Sequence, residues 1–210
     1  MNPIQTLINL IYFRGKLFFN WVFANAVGWA VGTLLGVLLT WFLSLIPGIK
    51  AEFILPFAIF LSLGISIGTA EAVVLKKFGV KRSHWVIATS SGFALYIFLG
   101  VGIDKLISSG SGVLESVLLI VFFGLAVGIC QWWILRHHFH RSWLWIFVNL
   151  GGHLILIWSI FNPDTSFSGL LYRGTLLGAL IAVVPGVVLM WFTSSTEKQS
   201  GQENDRVSPE

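Results

Sequence analysis

Charged residues are scarce in this chain. Asp, Glu, Lys and Arg make up 10% of the sequence, whereas a soluble domain carries about 25%. So little charge cannot cover a soluble surface, and 56% of the residues are hydrophobic, including 10 Trp and 18 Phe. The composition therefore predicts an integral membrane protein, and the length of 210 residues predicts a single domain.

Cysteine and recognisable catalytic motifs are also scarce. Cys130 is the only cysteine, so an intrachain disulfide is excluded. The sequence contains no nucleophile motif, phosphate-binding loop or paired-carboxylate site. Its basic residues lie at the edges of apolar runs, which gives no support to a nucleic-acid role. We therefore expect a protein that is not an enzyme and binds no cofactor.

Long apolar runs are what the sequence does have. Each is near the roughly 20 residues that cross a bilayer as a helix. We predict an all-α protein with six transmembrane helices at residues 17–46, 53–75, 85–103, 113–135, 143–161 and 170–192. Residues 1–16 are expected to form an interfacial segment, residues 17–193 the transmembrane domain, and the polar residues 194–210 a disordered tail.

The first apolar run could also be read as a signal peptide. Arg14 and Lys16 precede it, and residues 24–26 read Ala-Asn-Ala, which resembles a cleavage site. The run continues well beyond these residues, however, and its Trp-led start recurs in later helices. A retained first transmembrane helix is the better interpretation.

Lys and Arg are concentrated in alternate loops, and this bias predicts the orientation. The richer loops are at the N-terminus, around residues 76–82 and around residues 136–141. Both termini are therefore expected in the cytoplasm of a bacterial cell, with the protein in the inner membrane. Four side chains in these loops are the candidate basic anchors at the interface: Lys76, Lys77, Arg136 and Arg141.

An internal repeat organises the helices. The segment GISIGTAEAVVLK at 64–76 aligns without gaps with GLAVGICQWWILR at 124–136, and a weaker copy starts at residue 178. The alternate helices share a second signature, which begins at Trp21, Trp85 and Trp145. The pattern predicts three parallel-repeat helical hairpins, at about residues 18–76, 84–136 and 143–193.

The pattern GxxxGxxQWxxLR at 124–136, followed by a basic loop and a Trp-led helix, resembles that of six-helix bacterial membrane proteins common in cyanobacteria. The copy at residue 64 departs from it, with Glu71 for Gln, Ala72 for Trp and Lys76 for Arg. The resemblance covers most of residues 18–192. It implies the architecture and carries no assigned activity.

The repeated glycines are candidate packing positions, because small residues allow helices to approach closely in lipid. They are Gly64, Gly68, Gly124, Gly128 and Gly178. Packing within the chain is the favoured interpretation, and contact between copies is the alternative. Tryptophans at the helix ends, among them Trp21, Trp85 and Trp145, are expected to form an aromatic belt at the interface.

Five polar residues lie at a similar predicted depth, about one turn inside the basic ends of five helices. They form a candidate polar layer: Glu71, Gln131, Asn25, Thr89 and Asn149. The equivalent position of the last helix is Pro185. The layer could be a set of interhelical hydrogen bonds, or it could bind an ion, a proton or a polar solute, since intramembrane carboxylates usually have a role. The structural alternative is favoured.

The histidines of the HHFH stretch at residues 137–140 invite a metal-site interpretation. No second cluster offers Cys or carboxylate ligands at suitable spacing, so no metal is expected. A cytoplasmic strip that binds anionic lipid headgroups is the better prediction.

Taken together, the sequence favours a structural or interaction role. The expected partners are the bilayer and either another membrane protein or a second copy of the chain. A small transporter, or a transporter subunit binding a polar solute or cation, is the alternative.

Overall fold

A computed structural model describes residues 3–48, 50–106, 112–157 and 167–207. Within these residues the chain forms six α-helices and no β-strand. The helices are α1 (Pro3–Ser44), α2 (Ala51–Leu75), α3 (Arg82–Leu106), α4 (Gly112–Leu135), α5 (Leu144–His153) and α6 (Phe167–Val207). Short 3-10 turns follow α2 and α5, at Lys76–Phe78 and Leu154–Leu156. The prediction of an all-α protein is confirmed.

Four of the described helices are long and apolar enough to cross a membrane. The segments that qualify are Ile11–Ser44, Ile54–Phe78, Gly112–Leu135 and Leu171–Phe192. The fifth helix and its 3-10 turn form a shorter apolar segment, Leu144–Leu156. Residues 158–161, which complete the span expected there, lie outside the described residues. The membrane character expected from composition is thus supported by the structure.

The six helices form a closed ring. Each packs against the next along the chain, and α6 returns to pack against α1. Short connections make consecutive helices neighbours, and the α1–α6 contact leaves no gap in the ring. Side chains from all six helices therefore face a common axis.

Two helices extend beyond the predicted spans. α1 runs without interruption from Pro3 to Ser44, through most of the predicted interfacial segment. No proline or strained glycine breaks it near residue 16, and its length is roughly 63 Å at the usual helical rise. At the other end α6 continues to Val207, through most of the polar tail that composition predicted to be disordered. Lys, Glu and Gln are good helix formers, so polarity alone does not end a helix.

Large apolar side chains are exposed on the surface of the ring, and polar side chains are buried at its axis. Phe19, Phe98 and Tyr172 are 70%, 71% and 71% exposed. Glu71 and Gln131, by contrast, are 4% and 2% exposed. A soluble protein shows the reverse arrangement. Apolar side chains outside and polar groups inside suit a lipid environment.

Candidate functional site: a buried polar layer

A layer of six large side chains closes the axis at the end of the ring where Lys76 and Arg136 lie. We call it the Trp–Leu layer, and its members are Trp21, Trp85, Trp145, Leu75, Leu135 and Leu189. All six are at most 1% exposed. The Trp145 ring makes edge contacts with Trp21 and Trp85, at centroid distances of 5.6 and 6.3 Å.

This arrangement corrects the expectation for three of the tryptophans. Trp21, Trp85 and Trp145 were expected in an interfacial belt, but they point into the bundle. Trp133 and Trp143, at 55% and 52% exposure, have the accessibility that such a belt requires. A tryptophan near a helix end can serve either purpose, because its ring is apolar and its N–H needs an acceptor.

The polar layer lies directly beneath, and Gln131 forms hydrogen bonds with two of its other members and with Trp145. Its amide nitrogen donates to Glu71 Oε2 at 3.1 Å and to Thr89 Oγ1 at 3.0 Å. Its amide oxygen accepts a hydrogen bond from Trp145 Nε1 at 2.8 Å. One side chain on α4 therefore links α2, α3 and α5.

Glu71 is the acceptor at the other end of this network. Its Oε2 receives hydrogen bonds from Gln131 and from Trp85 Nε1, the latter at 3.0 Å. Both donors are uncharged, so hydrogen bonds rather than an ion pair hold the carboxyl group.

The two asparagines lie beside this network and also bind their own helices. Asn25 Nδ2 donates to the carbonyl of Trp21 at 3.1 Å, and Asn149 Nδ2 donates to the carbonyl of Trp145 at 3.0 Å. The backbone carbonyl of Asn149 in turn accepts a hydrogen bond from His153 Nδ1 at 2.8 Å. The five predicted polar residues thus meet at one level, and none of them is more than 5% exposed.

Three members of the site were missed as functional groups by sequence reasoning. Trp85 and Trp145 supply the donors, and His153 joins the layer from below. A usable signal was present, because each donor tryptophan follows its acceptor by 14 residues. His153 also lies eight positions after Trp145, as Phe93 does after Trp85.

A small cavity lies at the centre of the polar layer. It has a volume of about 20 Å³. Its wall includes all five predicted polar residues together with Trp21, His153, Ile181 and Pro185. Roughly 10–15 Å³ on this measure holds one water molecule. The space therefore accepts one water and excludes larger polar solutes.

Below the cavity the axis is filled by aromatic side chains. Phe123 packs edge-on against Phe93 at 4.8 Å and against His153 at 4.6 Å between ring centroids. Phe60 and Tyr96 extend the same cluster. The polar layer is therefore enclosed by apolar packing on both sides.

The repeated glycines lie at the helix–helix contacts. A Cβ added to Gly64 would lie 2.9 Å from Ser90 Cα, and one added to Gly124 would lie 2.8 Å from Leu150 Cα. At Gly68 and Gly128 the nearest backbone atoms would be 3.1 and 3.0 Å away. At Gly178 the added atom would overlap the Trp29 ring. Any side chain at these positions would push neighbouring helices apart.

The four basic anchor residues are all exposed, in the connections that follow α2 and α4. The guanidinium carbon of Arg136 lies 3.4 Å from the centre of the Trp133 ring, and Arg136 Nε donates to His137 Nε2 at 3.2 Å. Arg141 has a left-handed backbone with φ 62°, which is uncommon for a residue with a side chain. Arg136, Arg141 and the three histidines of the HHFH stretch line a concave pocket of about 480 Å³, which does not include Lys76 or Lys77.

Metal ligands are not clustered in the part of the chain that the structure describes. No group of three or more His, Cys, Asp or Glu side chains there could hold a metal ion. Comparisons of the chain with protein-family models, with curated proteins and with solved structures gave no match.

Proposed function

We propose that this chain is a six-span protein of the bacterial inner membrane, built from three parallel helical hairpins with both termini in the cytoplasm. The closed ring supports six spans, because α3 and α5 each lie between two helices that are apolar enough to cross a bilayer. The basic connections after α2 and α4 support the orientation.

Its role in this proposal is structural or interaction-based, and the bundle does not conduct solutes. The enclosed centre is the observation that carries this conclusion. The Trp–Leu layer closes one side of the polar layer, the aromatic cluster fills the other, and the space between is about 20 Å³. Small-molecule sites usually measure about 300–1,000 Å³, so this centre is far too small for a solute.

The experiment combines reconstitution with partner capture. Purified protein in liposomes should leave proton, sodium and potassium permeability at the level of protein-free liposomes. Mild solubilisation of native membranes, after crosslinking, should recover a specific membrane-protein partner or a second copy of the chain. The Gly128→Leu variant, which disrupts the α4–α5 contact, is the control. A protein that this variant also captures does not bind the native fold. Flux that depends on Glu71 would overturn the proposal.

Orientation can be tested separately by cysteine labelling in a Cys130→Ala background. Ser83 and Pro47 are exposed and lie at opposite ends of the ring. A membrane-impermeant thiol reagent added to intact cells should label Pro47→Cys and leave Ser83→Cys unmodified. The reverse pattern would place the basic connections outside the cell. Ser142 is a poor choice for this test since it is 5% exposed, and Ser109 lies outside the described residues.

A transporter, or a transporter subunit that binds a cation or polar solute in the polar layer, is the second candidate. Glu71 favours it, because a carboxyl group buried within a membrane is costly and often marks an ion or proton pathway. Under this candidate Glu71→Gln would preserve the fold and abolish binding or flux. Under the structural proposal the same variant changes neither permeability nor partner capture.

A further inference from the structure

Two of the three tryptophans in the Trp–Leu layer donate a hydrogen bond to the polar layer, and the third does not. Trp85 donates to Glu71 and Trp145 donates to Gln131, in each case to a residue 14 positions earlier in the chain. Trp21 is the third tryptophan of the Trp–Leu layer. Its indole nitrogen is buried and has no hydrogen-bond partner among the described residues.

The α6–α1 contact is otherwise built like the α2–α3 and α4–α5 contacts. Gly64 packs on Phe93, Gly124 on His153 and Gly178 on Trp29, and each of these rings lies eight residues after a tryptophan of the Trp–Leu layer. The leucines Leu75, Leu135 and Leu189 are likewise all 0% exposed. The position on α6 that corresponds to Glu71 and Gln131 is therefore residue 185.

Residue 185 is a proline, and its side chain has no acceptor atom. A Cβ added to the next residue, Gly186, would lie 3.2 Å from Trp21 Cδ1, the carbon bonded to the indole nitrogen. The N–H edge of Trp21 thus faces α6 beside Pro185. Burying an indole N–H without a partner costs free energy, so a ligand that offers an acceptor would be favoured here.

The cavity of the polar layer lies at this edge. Trp21 and Pro185 both line it, whereas Trp85 and Trp145 do not. Glu71, Asn25 and Asn149 in its wall carry oxygen atoms that can accept hydrogen bonds. Pro185 also lacks an N–H, so the carbonyl of Ile181, another residue that lines the cavity, does not receive its usual helical bond. The wall therefore offers one unpaired donor and several acceptors.

We infer that the cavity binds a single water molecule. This water accepts the hydrogen bond of Trp21, as Glu71 and Gln131 accept those of Trp85 and Trp145. The water accepts from Trp21 Nε1 and donates its two protons to oxygen atoms of the wall. This hydrogen-bonding pattern matches a buried water, which typically makes about three hydrogen bonds. A cation does not satisfy an N–H donor, and an anion would face the carboxyl group of Glu71. The assignment is independent of the function proposed above.

Nuclear magnetic resonance of the full chain in detergent, with 15N-labelled tryptophan, tests the assignment directly. Signals are assigned with Trp21→Phe, Trp85→Phe and Trp145→Phe. The indole proton of Trp21 should show a cross-peak to a long-lived water, and those of Trp85 and Trp145 should show none. Equal water contact for all three, or none at Trp21, would overturn the inference.

Two substitutions of Pro185 provide a second test. Pro185→Gln supplies the missing side-chain acceptor, and Pro185→Leu is the matched control of similar size without one. The Gln variant should lose the water cross-peak of Trp21 and unfold at a higher temperature than the Leu variant. In a Trp21→Phe background the two variants should unfold alike. A Gln variant that keeps the cross-peak would show that residue 185 does not face Trp21.

The ion alternative is tested with the wild-type protein alone. Its unfolding temperature is compared in sodium, potassium and N-methylglucamine chlorides at equal ionic strength. The three should agree if the cavity holds water. A selective rise in sodium or potassium would assign the cavity to that cation and overturn the water assignment.

Discussion

The α2–α3 and α4–α5 contacts have the same packing but different polar chemistry. Each has a glycine against the backbone of the next helix and a tryptophan that donates to a residue 14 positions earlier. The acceptor is Glu71 in one and Gln131 in the other. An ionised carboxylate can only accept, whereas an amide both accepts and donates. The amide can therefore connect the layer, and the carboxylate can only end it.

The largest loss of stability should come from replacing the amide of Gln131 with a carboxyl group. In Gln131→Glu the donors to Glu71 and Thr89 are lost, and two carboxyl groups face each other in the buried layer. We expect unfolding in detergent to become easier by about 3 kcal/mol or more. Adding Glu71→Gln should restore much of the loss, because an amide at residue 71 can donate to the new carboxylate. If the single variant is as stable as wild type, the hydrogen bond between the two positions is not made.

The shared packing can be tested at equivalent glycines. Gly64→Ala and Gly124→Ala each place a methyl group less than 3 Å from a neighbouring Cα atom, at 2.9 and 2.8 Å. Overpacking of this kind costs about 1–3 kcal/mol, and the two variants should lose similar stability in thermal unfolding. Gly151→Ala is the control, since no atom lies within 4 Å of its added Cβ. Alanine has a higher helix propensity than glycine, so a loss at Gly151 as large as at Gly124 would show that close contact does not set the effect.

Much of this architecture follows from pattern alone. The ends expected for α2 and α4, at Leu75 and Leu135, agree with the structure. Apolar runs and turn residues define such helices locally, so the sequence contains what is needed. The alignment of Glu71 with Gln131 likewise placed both residues at one depth, because equal distance from equivalent helix ends means equal height in the bundle.

The direction in which side chains point was harder to predict. Trp85 is buried and Trp133 is exposed, and only the spacing of the repeat distinguishes them in the sequence. The difference depends on an acceptor that a neighbouring helix presents, and this becomes visible only when the helices are assembled. The size of the cavity has the same origin, since it is the space left over when six helices close on residues of different volume.

Substitutions of Glu71 test whether its charge matters to the fold. Glu71→Gln should change stability by less than about 1 kcal/mol, because an amide oxygen can accept from both Trp85 and Gln131. Glu71→Leu should cost about 1–3 kcal/mol, since it leaves those two buried donors without an acceptor. Both are measured by thermal unfolding in the same detergent. A Gln variant as damaged as the Leu variant would show that the carboxylate itself is needed.

The smallest effect concerns the connections rather than the core, where Arg141 is exposed and has φ 62°. A basic side chain near an anionic membrane surface contributes about 1 kcal/mol, or ~5-fold in affinity. Arg141→Gln keeps the same backbone cost and removes only the charge, so preference for phosphatidylglycerol over phosphatidylcholine in lipid-binding measurements should fall ~5-fold. Arg141→Gly removes the same charge but relieves the backbone, and should therefore show the same fall with a higher unfolding temperature. Lys81→Gln, in the connection after α2, should weaken the preference to a similar extent if the two connections meet lipid alike. An unchanged preference in Arg141→Gln would show that this loop does not bind anionic headgroups.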